Sequence, residues 1–205
     1  MSSAIQIKNL TIFQNGGIPL IKNINIDIPE GEITYIIGNN GLGKSTFIKT
    51  IVGLQKVLDG EILIFDQKNT QEQISENISY LAQIPKINRN FPITVEEMIK
   101  LACGKGKECP LDVEGHLKVF KAEKLIHKKI SDLSGGEFQK ALIARCLIGD
   151  KKILILDEPF NNLDHQSEKD LINLLRKLSN EFNRTIILVT HDLNIIDENA
   201  ENCVL

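Results

Sequence analysis

The sequence predicts an α/β fold: a mainly parallel sheet covered on both faces, with an antiparallel β edge and an inserted helical lobe. Three observations carry this. Short apolar strands alternate with helical patterns along the chain, which is the order that builds parallel sheets. A glycine-rich loop joins a buried strand to a helix between residues 34 and 54. From 84 to 150 the helical patterns follow one another with no strand between them.

At 205 residues the chain can enclose one substantial core, or one core with a smaller lobe set into it. Ile5 to Leu10 and Ile24 to Ile28 alternate apolar and polar residues, as half-buried strands of an edge sheet do, with Gly16-Gly17 making the turn. Thr34 to Ile37 reads as a buried strand running into Gly38, and Phe47, Ile48, Ile51 and Leu54 repeat at helical spacing. Glu61 to Phe65 and Ile78 to Leu81 are further strands. Val95 to Cys103 and Val113 to Ala122 read as helices, separated by a Gly-, Lys- and Pro-containing connection. Gly135 to Ile148 and Gln166 to Phe182 are helices on either side of the strand Ile153 to Leu156, and Thr185 to Val189 is the next strand. Cys203-Val204-Leu205 reads as part of another. The expected division is one domain, with residues 1–83 and 151–205 as the α/β core and 84–150 as the lobe.

Composition narrows the possible functions. With 42% hydrophobic and 25% charged residues, the chain has the make-up of a folded, water-soluble domain. A net charge of −3 supplies no general basic field, which argues against a nucleic-acid partner and requires any anion site to be local. The longest apolar runs fall far short of the roughly 20 residues that a membrane helix needs. The first ten residues lack the charged and apolar regions of a signal peptide, so a cytosolic location is expected. Cys103, Cys109, Cys146 and Cys203 show no metal or disulfide spacing and read as ordinary thiols.

The chemistry starts at Gly38-Asn39-Asn40-Gly41-Leu42-Gly43-Lys44-Ser45-Thr46, which fits G-x-x-x-x-G-K-[ST] and lies between a strand and a helix as that pattern requires. Its glycines let backbone N–H groups turn toward phosphate oxygens, and the helix start adds partial positive charge. Lys44 brings a full charge toward the β and γ phosphates, and the Ser45 hydroxyl can ligate Mg²⁺. Asp157-Glu158 ends the apolar strand Ile153 to Leu156, at the edge where open α/β sheets bind ligands. Asp157 can hold the Mg²⁺ shell and Glu158 can face a water that attacks the γ-phosphoryl group. Alone, the pair would read equally well as a solvated acidic turn before Pro159. Leu133-Ser134-Gly135-Gly136-Glu137 opens a helix with Ser134 as a natural N-cap, a second backbone anion site that in isolation would read as a capping turn.

Taken in order, Gly38 to Thr46, Gln83, Leu133 to Glu137, Asp157-Glu158, Asn162-Leu163-Asp164 and His191 resemble the nucleotide-binding domain of ATP-binding cassette (ABC) proteins, over nearly the whole chain. The resemblance implies a phosphate-loop NTPase core with ATP and Mg²⁺ as its ligands. It makes Gln83 the loop residue that touches the metal and the attacking water and links to the membrane subunit. It makes Leu133 to Glu137 the signature motif that contacts the γ-phosphate held by a second copy, so that a homodimer sandwiches two ATP molecules. Glu158 becomes the general base, Asn162 to Asp164 the loop across the dimer interface, and His191 the switch near the γ-phosphate; Ser45, Gln83 and Asp157 would face the metal. Alone, Gln83 would read as a surface amide and His191 as a capping or buried histidine. His116 and His127, with no such company, read as solvated helix residues, and Gly104 to Lys107 and Lys128-Lys129 as solvated loop charges.

Some positions depart from the family pattern. Gln14 stands where an adenine-stacking aromatic is usual, leaving Phe13 beside it as the candidate. Glu137, Lys140 and Asn161-Asn162 replace commoner residues without removing a required chemical group. Tyr80 to Gln83 and Asn90 to Met98 resemble the cassette ATPases of zinc, manganese and chelated-iron importers. That implies integral membrane permease subunits, a periplasmic or extracellular substrate-binding protein, and attachment to the inner face of the cell membrane. Alternatives are the ATPase of a haem or other exporter, and cassette ATPases of DNA repair or translation. The repair proteins carry long insertions and the translation factors carry two cassettes, neither of which fits this length. A pure binding module would lack the base that Glu158 offers.

Overall fold

The computed structural model describes residues 2–13, 19–39, 41–83, 87–103, 113–148, 151–192 and 203–204. Gly16-Gly17, Gln14, Asn40, Gly104 to Lys107, Cys109 and the side chains of Cys103, His116 and Cys203 lie outside what it describes.

The chain runs β1 (Ser3–Phe13), β2 (Pro19–Pro29), β3 (Ile33–Ile37), α1 (Lys44–Ile51), β4 (Asp59–Ile64), β5 (Gln67–Lys68), α2 (Gln71–Asn77) and β6 (Ile78–Leu81). Then come α3 (Val95–Lys100), α4 (Val113–Lys118), α5 (Gly135–Leu147), β7 (Ile153–Asp157), α6 (His165–Phe182), β8 (Thr185–Thr190) and β9 (Cys203–Val204), with single 3₁₀ turns between α3 and α5. The strands form two sheets. One has the order β6-β7-β8-β3-β9 and all its pairs are parallel; the other has the order β2-β1-β4-β5 and is antiparallel. The expected antiparallel edge is thus a separate sheet facing the parallel one.

Alternation along the strands divides the core in two. Ile153, Ile155, Ile187 and Val189 face α1 and the antiparallel sheet, whereas Leu154, Leu156, Ile186 and Leu188 face α5, α6 and the helical lobe. On the lobe side, Met98, Leu117, Leu125 and Phe138 continue the same apolar cluster as Leu154 and Leu188. In β1 the buried series Ile5, Ile7 shifts to Leu10, Ile12 because Asn9 takes φ 51° at a bulge, where its N–H donates to Asn25 Oδ1 at 2.9 Å.

Three helix ends differ from expectation. The series reaching Leu54 overshoots: α1 stops at Ile51 because Gly53 takes φ 69°, and Leu54 N–H turns back to Lys49 O at 2.8 Å with its side chain exposed. The Val113 helix ends at Lys118, just before Lys121 takes φ 51°. The regular part of the Val95 helix ends at Lys100 and tightens into a 3₁₀ turn. Helix α6 is placed as expected: Asp164 caps it by accepting from Ser167 N–H at 2.9 Å, and Ser167, Leu171, Leu175 and Ser179 form its buried stripe.

Where α5 meets β6, Ser79 Oγ donates to Cys146 O at 2.6 Å, and burial pushes the Cys146 thiol up to about 11, as an inert structural thiol requires. Among the described residues no helix is long and apolar enough to cross a membrane.

Candidate functional site

Parallel pairing brings the chemistry to one edge. Leu81 lies beside Leu156, Asp157 beside Val189 and Ile37 beside Thr190, so the chain leaves β6, β7, β8 and β3 at nearly one level. Gln83, Asp157-Glu158, His191 and Gly38 follow those strand ends, at the carboxyl edge where such sheets bind ligands.

The loop after β3 turns through Gly38, Gly41 and Gly43, all at positive φ. Gly43 is constrained twice. Its φ of 99° suits glycine, and a Cβ there would meet Leu20 Cδ2 at 2.8 Å. It is also the N-cap of α1 and contributes no side-chain cap, so the first N–H groups of that helix stay open to an anion. The Lys44 ammonium donates to the carbonyls of Gly38 and Asn39, the latter at 3.1 Å. Leu42 is 59% exposed and lies beside Ile21 and Ile24, not in the cleft, so the loop offers its backbone there and not this side chain.

Asp157 and Glu158 are both nearly buried. Burial raises the Asp157 carboxyl above the usual carboxylate range, partly countered by a hydrogen bond with Ser45; the adjacent Glu158 charge raises it further, and Lys49 and Lys44 lower it. Its Oδ1 has no hydrogen-bond partner. A buried carboxylate oxygen left open beside a hydroxyl suits a hard cation such as Mg²⁺, which one or two carboxylates and substrate phosphates hold together. Among the described residues no three His, Cys, Asp or Glu side chains gather as a metal site.

Glu158 takes φ 52°, a left-handed conformation that a residue with a Cβ rarely adopts. Both its oxygens meet His191 Nδ1, at 2.9 and 2.8 Å. An ionised carboxylate can only accept, so Nδ1 carries the proton in this pair and Nε2 is left for another partner. The His191 side chain is half exposed.

A cleft of ≈ 480 Å³ runs along this edge, lined by Gly43, Lys44, Ser45, Thr46, Asp157 and Glu158. Gln83 reaches it from β6 and Phe13 from the antiparallel sheet. Leu20 and Gln55 also line it, and sequence reasoning missed both; Gln55 Nε2 donates to Phe13 O at 3.0 Å and fixes the end of β1. Only the position of Gln55 shortly after α1 pointed to it, and nothing local marked Leu20.

Leu133 to Glu137 do not line that cleft. Ser134 caps α5: its Oγ accepts from Glu137 N–H at 3.2 Å, and the Glu137 carboxylate accepts from Ser134 N–H at 2.9 Å and from Lys128 at 3.0 Å. The Ser134 N–H bond, followed by Lys128, holds the Glu137 carboxyl down at about 2. The start of α5 also packs on the loop after β7. A Cβ at Gly136 would meet Asn162 O at 2.7 Å, Gln139 Nε2 donates to Pro159 O at 2.9 Å, and Lys140 pairs with Asp164 at 3.0 Å. Asn162, Leu163 and Asp164 therefore lie against the signature helix, with Asn162 exposed at φ 64°. His127 is exposed, in a turn and not in a helix.

Residues 21–161, more than half of the chain, match the family described as ABC transporter. The chain belongs to the ABC transporter family. A Bacillus subtilis relative, High-affinity zinc uptake system ATP-binding protein ZnuC, is 35% identical over 203 residues, covering 95% of this chain and 87% of its own. Zinc import ATP-binding protein ZnuC of Vibrio parahaemolyticus is 33% identical over 205 residues, which is 100% of this chain and 73% of that protein. Among solved structures, cbiO1 from Clostridium perfringens, part of the ABC transporter complex cbiONQ, is 30% identical with a TM-score of 0.77 over 96% of this chain and 81% of its own. The dimeric post-hydrolysis state of the ATP-binding cassette MJ0796, bound to ADP and Pi, is 30% identical with a TM-score of 0.81 over 93% and 89%. This chain is accordingly an ATP-binding, ATP-hydrolysing cassette of the ABC type.

Proposed function

We propose that two copies of this ABC ATPase close on two ATP molecules and thereby drive import of a divalent metal such as zinc or manganese through separate membrane subunits. The observation that carries the dimer is the capped start of α5, whose N–H groups make an anion site away from the chain's own cleft. The cargo rests on the zinc-system names of the relatives. On this reading the chain works at the inner face of the cell membrane, with permease subunits and an external substrate-binding protein as partners.

Within each cleft, the backbone of Gly38 to Thr46 and the Lys44 ammonium hold the β and γ phosphates, and Phe13 offers its ring to adenine. Ser45, Asp157 and Gln83 would hold Mg²⁺, which when bound offsets charge on the β and γ oxygens. Glu158 accepts the proton of the attacking water, and the His191 Nδ1–H bond aims its carboxylate until His191 turns to the γ-phosphate. Leu133 to Glu137 cover the γ-phosphate of the other copy, and Asn162 to Asp164 carry contact across the interface. On this reading residues 84–150 are the helical lobe that carries the signature motif to the second copy.

ATP that binds the closed pair better than the separate chains must shift the equilibrium toward dimer. The Glu158→Gln variant, unable to clear its ATP, should be monomeric without nucleotide and dimeric with ATP and Mg²⁺ by light scattering. Adding Ser134→Arg should abolish the dimer while ATP stays bound to the monomer; a dimer indifferent to either change sinks the sandwich. For the cargo, deleting the gene should lower cellular zinc or manganese under metal limitation, and unchanged contents of both overturn that part.

A further inference from the structure

We propose that Arg89 is a positioning residue for the signature motif, setting the entry angle of the chain into α5 and hence the aim of its first N–H groups. The geometry is a clamp with two jaws. The Arg89 guanidinium donates through one terminal nitrogen to the carbonyl of Leu133, the residue just before the N-cap, and its carbon lies 4.8 Å from the centroid of the Phe138 ring, in the second turn. Leu133 and Phe138 are themselves buried in the same apolar cluster, so their side chains staple the helix start from within while Arg89 ties its backbone from without. A planar fork of donors can bond in its own plane while its face lies on a ring, which an ammonium cannot do.

Electrostatics says why this cation needs explaining. Near a helix N-terminus the macrodipole favours anions, so Arg89 gains nothing there from the field of α5. Its contacts hold it in place, and its charge then adds to the positive potential of a start that, on the sandwich reading, receives a phosphate. The Glu137 carboxylate on Ser134 N–H shows that this start already favours an anion.

The surroundings of Arg89 are fixed as well. Thr94 bridges to Lys129, Ile130 N–H donates to Ile93 O, Val95 N–H to Lys128 O and Glu96 N–H to Ile126 O, the last three each at 3.0 Å. Thr94 and Glu97 close a capping box at the start of α3. The stretch downstream of Gln83 is thus laced to the stretch leading into Ser134, and Arg89 is the side chain that spans from one to the signature itself.

The dimer arm of the test rests on the sandwich reading above, and the monomer arm does not. In nucleotide-free monomer, Arg89→Ala should move the amide ¹H–¹⁵N resonances of Gly135 and Gly136 and hasten their hydrogen exchange, with Arg89→Lys between it and wild type. In the Glu158→Gln background, Arg89→Ala should leave ATP retention by the monomer unchanged while raising the dimer dissociation constant about tenfold, the size of a typical coupling between sites. Unmoved Gly135 and Gly136 amides overturn the proposal. So does a loss of ATP retention that parallels a fall in Tm, which a merely structural role would produce. Should Arg89→Ala not fold, Arg89→Lys carries both arms, and it must shift the amides in the same direction. If the Arg89-intact control fails to dimerise with ATP, the sandwich reading falls, and the amide arm still decides the role of Arg89.

Discussion

Lys44→Ala is expected to lower ATP turnover by a factor on the order of 10² or more, about 2.7 kcal/mol of lost transition-state stabilisation. The substitution removes a full positive charge from the end of the phosphates where negative charge is redistributed during transfer. It also removes the bonds by which the ammonium ties the carbonyls of Gly38 and Asn39 to the helix side of the loop. Both losses act on the same loop, so binding of a fluorescent ATP analogue should weaken along with turnover. The fold should survive, because Lys44 lies in the cleft wall and the buried face of α1 is Phe47, Ile48, Thr50 and Ile51. Undiminished turnover would show that the phosphates sit elsewhere.

Glu158→Gln separates binding from chemistry. Glutamine keeps the shape of the side chain, and its carbonyl oxygen can still accept from His191 Nδ1, so the cleft should hold ATP as before. An amide cannot take a proton from water at neutral pH, and single-turnover hydrolysis should fall by a factor on the order of 10² or more. Equal single-turnover rates would move the base to another residue.

Much of this site could be read from the chain because its signals are local. The run from Ile153 to Leu156 is apolar at every position and short, as a strand buried on both faces is, and the two carboxylates after it stand out against it. Gly38 to Thr46 carries its own strand and helix context, and Ser134 and Glu137 announce a capping box by spacing alone. What stayed hidden depends on distant parts of the chain. Helix α2 buries none of its residues, so it shows no periodic apolar face and is marked only by Thr70 accepting from Gln73 N–H. The apolar spacing runs on to Leu54, but Gly53, a residue free to take the positive φ it shows here, marks the end of the Lys44 helix. Leu20 reaches the cleft only because the antiparallel sheet folds over the phosphate loop, a placement that no local pattern encodes, whereas Gln55 comes from the turn after α1 and bonds to the end of β1.

The backbone at Glu158 sets stability and chemistry against each other. A left-handed conformation costs a residue with a Cβ about 1 kcal/mol or more relative to glycine, and asparagine tolerates it better than glutamate. Anyone engineering this protein for heat resistance by backbone preference alone would be led to Gly or Asn at 158 and, with Glu158 as the proposed general base, should obtain a sturdier molecule that holds its nucleotide and sits idle.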